Sequence, residues 1–153
     1  MPSVSSVANL LEIELMGQDL FKHSARSKLD RMAAAMRVLH KALIDFTQHE
    51  YERTHGKVSN PYALFALVAH DPAFAWLQPM TKLIVEIEDL VGRPLPPPAK
   101  HDVIETRKKI DGLLVTVGDA FSTRYLALLQ SSAEIAAEHG RFQSVLNDIA
   151  AGH

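Results

Sequence analysis

The chain contains no cysteine. Disulfides, thiolate zinc sites, cysteine-ligated iron–sulfur clusters and cysteine nucleophiles are therefore excluded. It also lacks a surplus of either charge: 16 basic and 18 acidic side chains leave a formal net charge of -2. Proteins that neutralise nucleic-acid phosphates ordinarily carry a basic excess, so no nucleic-acid partner is expected. No stretch reaches the roughly 18 uncharged apolar residues of a membrane span, and no membrane association is expected. Residues 1–16 have no positive region ahead of their apolar positions and carry Glu12 and Glu14. That is not the pattern of a signal peptide, and the expectation is a cytoplasmic protein. Strand signals are scarce as well, since short runs such as residues 113–117 are surrounded by polar residues at helical spacing. Glycine loops that cradle phosphate, dinucleotide fingerprints and the Gly-x-Ser-x-Gly elbow are all missing.

What is present is helical periodicity. At 153 residues and 22% charged, the chain fits one globular domain, residues 1–153. A chain of that length buries about two thirds of its unfolded surface and needs no covalent staples. The organising stretch begins near Ser27. Its apolar positions Leu29, Met32, Met36, Leu39, Leu43 and Phe46 step alternately by three and four, which is one face of a helix. Asp30, Arg37, Lys41, Asp45, Gln48 and Glu52 occupy the other face. The helix should start between Ser24 and Ser27 and stop at Gly56, a residue suited to a left-handed C-cap. Its length, about 40 Å at 1.5 Å per residue, is that of a bundle's spine.

Other elements follow from start and stop signals. Residues 6–21 show helical spacing of Val7, Leu10, Leu11 and Leu15 and predict a first helix. Lys22, His23, Arg26 and Lys28 form the most basic patch, readable as an anion site but better as a solvated connection. Asn60-Pro61 and Asp71-Pro72 each read as an N-cap followed by proline at the first helical position. Two starts so close together require a short helix between them. Pro79 interrupts the next apolar pattern, so a break is expected there, with the main helix over residues 79–91. Residues 92–99, with three consecutive prolines, form a stiff linker. Helical spacing resumes at Lys100 and pauses at Gly118-Asp119. A last helix is expected to carry Tyr125, Leu128, Leu129, Ile135 and Ala136, with final turns at Phe142, Val145, Leu146 and Ile149. Ala133, Ala137, Gly140 and Ser144 make a stripe of small residues. The fold class that results is all-α, a bundle of about five or six helices around one long central helix.

Eight histidines invite a metal reading. Helix-borne sites use His-x-x-x-His or two Glu-x-x-His pairs on facing helices. The first is absent and the second occurs once, at Glu52 and His55, pointing away from the apolar stripe. No metal site and no cofactor are therefore expected, and His40 reads as a hydrogen-bonded structural residue. The more informative polar residues lie where the central stripe is extended past Phe46. The next positions on it are Glu50 and Arg53, with Tyr51 to one side. A carboxylate and a guanidinium on a core-facing stripe must be paired or wet. With Tyr62 and Trp76 from the following short helices, Glu50, Tyr51 and Arg53 form the candidate ligand site. The competing reading is a structural ion pair that closes the bundle.

The run Tyr51-Glu52-Arg53-Thr54-His55-Gly56, then residues 71–80 (Asp-Pro-Ala-Phe-Ala-Trp-Leu-Gln-Pro-Met), then Leu83-Ile84-Val85 resembles a family of small uncharacterised bacterial proteins. The resemblance extends from about His40 to about Leu90. It implies a bacterial source and a helical domain, and it supplies no catalytic residues. The functional expectation is a non-enzymatic cytoplasmic bundle acting through helix-mediated association, above all with itself as a homo-oligomer. The alternative is a bundle that binds a small-molecule ligand near Glu50, Arg53 and Trp76, and a metal-dependent enzyme ranks last.

Overall fold

The computed structural model describes residues 9–12 and 24–152, and among these it contains helices and no strand. Of the first helix expected over residues 6–21, only residues 9–12 are described; they are helical, with Leu10 and Leu11 exposed, and the rest lies outside the described residues. The main elements are α1 (Ala25–His55), α2 (Pro61–His70), a 3₁₀ segment (Pro72–Leu77), α3 (Gln78–Gly92), α4 (Lys100–Val115), α5 (Ala120–Ser131) and α6 (Ala133–Ala150). The fold is an all-α bundle, and α1, at 31 residues, spans about 46 Å at 1.5 Å per residue.

The caps explain where α1 begins and ends. The Ser24 hydroxyl oxygen accepts the Ser27 N–H at 3.1 Å, which satisfies one of the amides a helix start leaves unpaired. Gly56 takes φ 82°, a left-handed conformation that a side chain would strain, and its N–H closes on the Glu52 carbonyl at 3.1 Å. Between these ends Leu29, Met32, Ala33, Met36, Leu39, Leu43 and Thr47 are buried. Helices α3 and α6 lie along this face, and the 3₁₀ segment and α4 cover its ends. Each partner returns its own three-four stripe: Met80, Leu83, Ile84 and Ile87 from α3, Ile110 and Leu114 from α4, Phe121, Tyr125 and Leu128 from α5, and Ile135, Phe142, Leu146 and Ile149 from α6. These side chains form one core. Burying each contributes about 1.5–3 kcal/mol of transfer free energy.

Both N-cap–proline signals start helices. Asn60 Oδ1 accepts the Ala63 N–H at 2.8 Å and Asp71 Oδ1 accepts the Ala73 N–H at 2.9 Å. Pro79 sits in the first turn of α3, where its missing N–H costs nothing, and the 3₁₀ segment ahead of it supplies the expected break. After α3 the linker is held by Arg93, whose Nε donates to the Pro96 carbonyl at 2.7 Å and whose Nη2 reaches Asp102 at 3.1 Å. Asp102 also accepts the Ala99 N–H at 2.8 Å, and this bond, ahead of His101 and Arg93, holds its carboxyl below the ordinary range.

Two readings of the sequence need correction. The expected helix through Tyr125 and Ala136 is two helices with a corner at Ser132, which is extended at φ -122°, ψ 112°. The Ser132 hydroxyl oxygen accepts the Ile135 N–H at 3.2 Å, so a serine N-cap outcompetes continuation of the helix. The small-residue stripe Ala133, Ala137, Gly140 and Ser144 is exposed on α6, and no helix among the described residues comes close to Gly140. The basic patch also splits. The Arg26 guanidinium donates to the Val91 carbonyl and, at 3.1 Å, to the Arg93 carbonyl, capping the end of α3, while Lys22 and His23 lie outside the described residues.

Because Leu43 is 0% exposed and Val38 is 60% exposed on the same helix, their truncations separate cleanly. Leu43→Ala is expected to lower stability by about 2–5 kcal/mol in urea titration, and Val38→Ala to change it by less than about 0.5 kcal/mol.

Candidate functional site

The structure brings some of the expected site residues together and scatters others. Glu50 and Trp76 meet, but through a residue the sequence reading did not include. Arg124, from α5, pairs its Nη2 with Glu50 Oε2 at 3.1 Å, and its guanidinium carbon lies 4.6 Å from the centre of the Trp76 ring. The guanidinium is thus held between a carboxylate and an aromatic face, two groups that each favour a cation. Both ion-pair partners are about two-fifths exposed, so the pair is a surface contact and not a buried one.

Arg53 does not pair with Glu50. It is exposed in the last turn of α1, where a cation suits the unpaired carbonyls. Near the end of α1 the 3₁₀ segment is a neighbour, with Phe74 against Tyr51, and Thr47 is the last buried residue of the helix. Tyr51 tilts against Phe74 at 6.1 Å and stacks on His55 at 4.1 Å, so it is a packing residue at the end of the core. Tyr62 is 88% exposed on the outer side of α2 and takes no part in the Glu50–Arg124–Trp76 contact.

From Trp76 the aromatic rings continue inward. Trp76 stacks on Phe121 at 5.4 Å, Phe121 on Tyr125 at 5.8 Å, and Tyr125 tilts against His139 at 5.6 Å. Tyr125 is fully buried, and burial pushes its phenol far above the ordinary value of 10. The phenol therefore keeps its proton, and its hydroxyl shares a hydrogen bond with His139 Nδ1 at 2.6 Å. Burial lowers the His139 pKa, which favours the neutral ring. His40 is the second lowered histidine, again through burial, and its Nε2 meets the Thr81 hydroxyl at 3.0 Å, while that hydroxyl donates to the Leu77 carbonyl. Both histidines act as structural hydrogen-bonding groups. Trp76 Nε1 is buried without a hydrogen-bond partner, a deficit worth about 1–3 kcal/mol. Among the described residues no three of His, Asp and Glu converge as a metal site would require.

Two surface features were not singled out from the sequence. The first is the outer face of α2. This helix, PYALFALVAH, has no charged side chain before His70, and none of its residues is buried. Ala63, Leu64, Leu67 and Val68 lean toward the bundle, whereas Tyr62, Phe65, Ala66 and Ala69 form an outward stripe, with Phe65 75% exposed. The second is a groove of about 510 Å³ where the starts of α1 and α4 meet the end of α6. Met32, Val103, Ile104, Leu146 and Ile149 supply its apolar walls, and Lys28, Lys100, Arg107 and Lys108 its polar groups. No acidic residue lines it among the described residues.

Compared with protein-family models, with curated proteins and with solved structures, the chain matches none. Among the described residues, no helix is long and apolar enough to cross a membrane.

Two measurements test the cluster. Arg124→Ala removes the carboxylate pair and the cation over the indole, and is expected to cost about 1 kcal/mol and to alter the emission of Trp76, whereas Arg53→Ala is expected to stay within about 0.5 kcal/mol and leave emission unchanged. The second concerns pH. His40 and His139 have folded-state values below the ordinary 6.5, so the unfolded chain takes up protons first. Their stabilising contribution is complete above about pH 6.5 and is lost as the pH falls toward the folded-state values. The urea midpoint is expected to drop between about pH 7 and about pH 5, with a shallower drop in a His40→Asn/His139→Gln variant.

Proposed function

We propose that this chain is a non-enzymatic bundle that works through helix-mediated self-association, and that α2 is the element by which two copies dock. The observation that carries the reading is a helix apolar on all sides yet buried on none. Such a helix normally sits inside a core, because leaving both faces wet forfeits the free energy of burial. Here one side rests on the bundle and the other, centred on Tyr62 and Phe65, is uncovered. An uncovered apolar patch of this kind is characteristic of interaction surfaces.

A second copy is the partner best supported. The stripe carries no charge, so its complement must be uncharged and apolar, and α2 of another molecule offers that surface by symmetry. Exposed aromatic side chains at the centre of such a contact are its natural anchors. A ten-residue helix supplies less than the roughly 800 Å² per partner of a standard interface, so the dimer belongs in the micromolar range. A cytoplasmic setting and a bacterial source go with this reading; their support is the expectation drawn from the sequence and its resemblance.

Sedimentation velocity across a concentration series is the test. A monomer–dimer equilibrium with a midpoint of micromolar order is expected for the native chain, and Phe65→Glu is expected to hold the protein monomeric while thermal unfolding stays near the native value, since that side chain is mostly in solvent. A clean monomer at millimolar concentration, or a dimer that Phe65→Glu leaves intact, overturns the proposal. So does binding of the monomer to neutral lipid vesicles in place of dimerisation.

A further inference from the structure

We propose that the groove between α1, α4 and α6 is a binding site for a free fatty acid, its carboxylate held by Lys28 and Lys100 and its chain laid against the apolar walls. The charge balance argues for an anion. Arg107 is already engaged, with Nε on Asp111 at 3.2 Å and Nη1 on the Leu146 carbonyl at 3.2 Å, and Lys108 reaches Glu105 at 3.3 Å. Lys28 and Lys100 have no ion-pair partner among the described residues. They sit in the first turns of α1 and α4, where the helix macrodipole is positive and a cation is unfavourable; α1 has no acidic residue in that turn, and the one in α4, Asp102, is engaged by Arg93 and the Ala99 N–H. Two positive helix ends and four cationic side chains therefore meet at a surface with no lining acid among the described residues. An anion in the groove removes that repulsion.

The walls argue for a chain behind the anion. Val103 is partly exposed and Ile104 is 46% exposed above the buried Met32, Leu146 and Ile149, so a headgroup alone leaves apolar surface in water. A volume of about 510 Å³ lies in the small-molecule range. Two free ammonium groups suit one carboxylate, and the partly exposed Val103 and Ile104 suit one alkyl chain. The site is remote in sequence from α2 and uses none of its residues, so it stands independently of self-association.

Displacement of a fluorescent dansyl fatty acid from the full-length protein measures the binding. Laurate is expected to compete, acetate and inorganic phosphate not to compete, and dodecanol to compete more weakly than laurate. Lys28→Glu/Lys100→Glu is expected to weaken laurate about tenfold or more, the loss of two partly exposed charge contacts together with new repulsion, with thermal unfolding unchanged or raised. Lys28→Gln/Lys100→Gln is expected to fall between that variant and the native protein, and Phe65→Glu to bind as the native chain does. Failure of laurate to displace the probe overturns the proposal, as do equal competition by laurate and dodecanol, competition by phosphate alone, or undiminished binding in the charge-reversed variant.

Discussion

Everything in this fold leans on one face of one helix. The buried side of α1, from Leu29 to Thr47, is the surface against which α3 and α6 pack along its length, with the 3₁₀ segment and α4 at its ends. Because helices that share a face must share its direction and register, the placement of each partner is decided by where its own apolar stripe meets α1. The stripe is unbroken because its side chains are Leu, Met and Ala, which pack well at helical spacing and lose little rotamer freedom there. The polar groups that do enter this region are satisfied locally. Thr47 donates to the Leu43 carbonyl at 2.8 Å, and His40 shares a hydrogen bond with Thr81.

The ends of the bundle differ from its middle. At one end the core gives way to aromatic rings that run from the Arg124 guanidinium inward to the Tyr125–His139 hydrogen bond. At the other, three helix termini meet over an apolar floor with cations around it. Among the described residues neither end brings three His, Asp or Glu side chains together. The surface carries exposed rings and aliphatic side chains in one place, and in another a hollow beside two ammonium groups with no ion-pair partner among the described residues.

Local signals were legible in the amino-acid order and distant ones were not. Ser24, Asn60 and Asp71 announce helix starts through their own side chains, Gly56 announces a stop through its backbone freedom, and Pro79 forbids a helix interior. The all-α class follows from these and from periodicity. Ser132 was passed over because apolar positions on both sides keep helical spacing, which hides a change of axis. Glu50 and Trp76 share Arg124 as a common contact, but Arg124 comes from 74 positions farther along than Glu50 and no spacing rule reaches it. Arg53 falls on the extended stripe by spacing yet is exposed, because extrapolating a stripe assumes that the same neighbour continues along the helix. The groove draws on three remote segments. For α2, composition showed an apolar helix, but apolarity alone does not tell a helix inside a core from one awaiting a partner.

The corner at Ser132 has a consequence for how the chain can vary in length. Its N–H donates to the Leu128 carbonyl at 2.8 Å, and its carbonyl accepts the Ala136 N–H at 3.0 Å, so α5 hands over to α6 with no slack between them. One extra residue there would turn every side chain of α6 by about 100° and carry Phe142, Leu146 and Ile149 away from α1. Residues 57–59 and 93–99, which lie outside the helices, transmit no such rotation. The connections of one bundle thus obey different rules: insertions and deletions can be absorbed where the chain leaves α1 and α3, while the junction of α5 with α6 behaves as a gear whose teeth must keep their count.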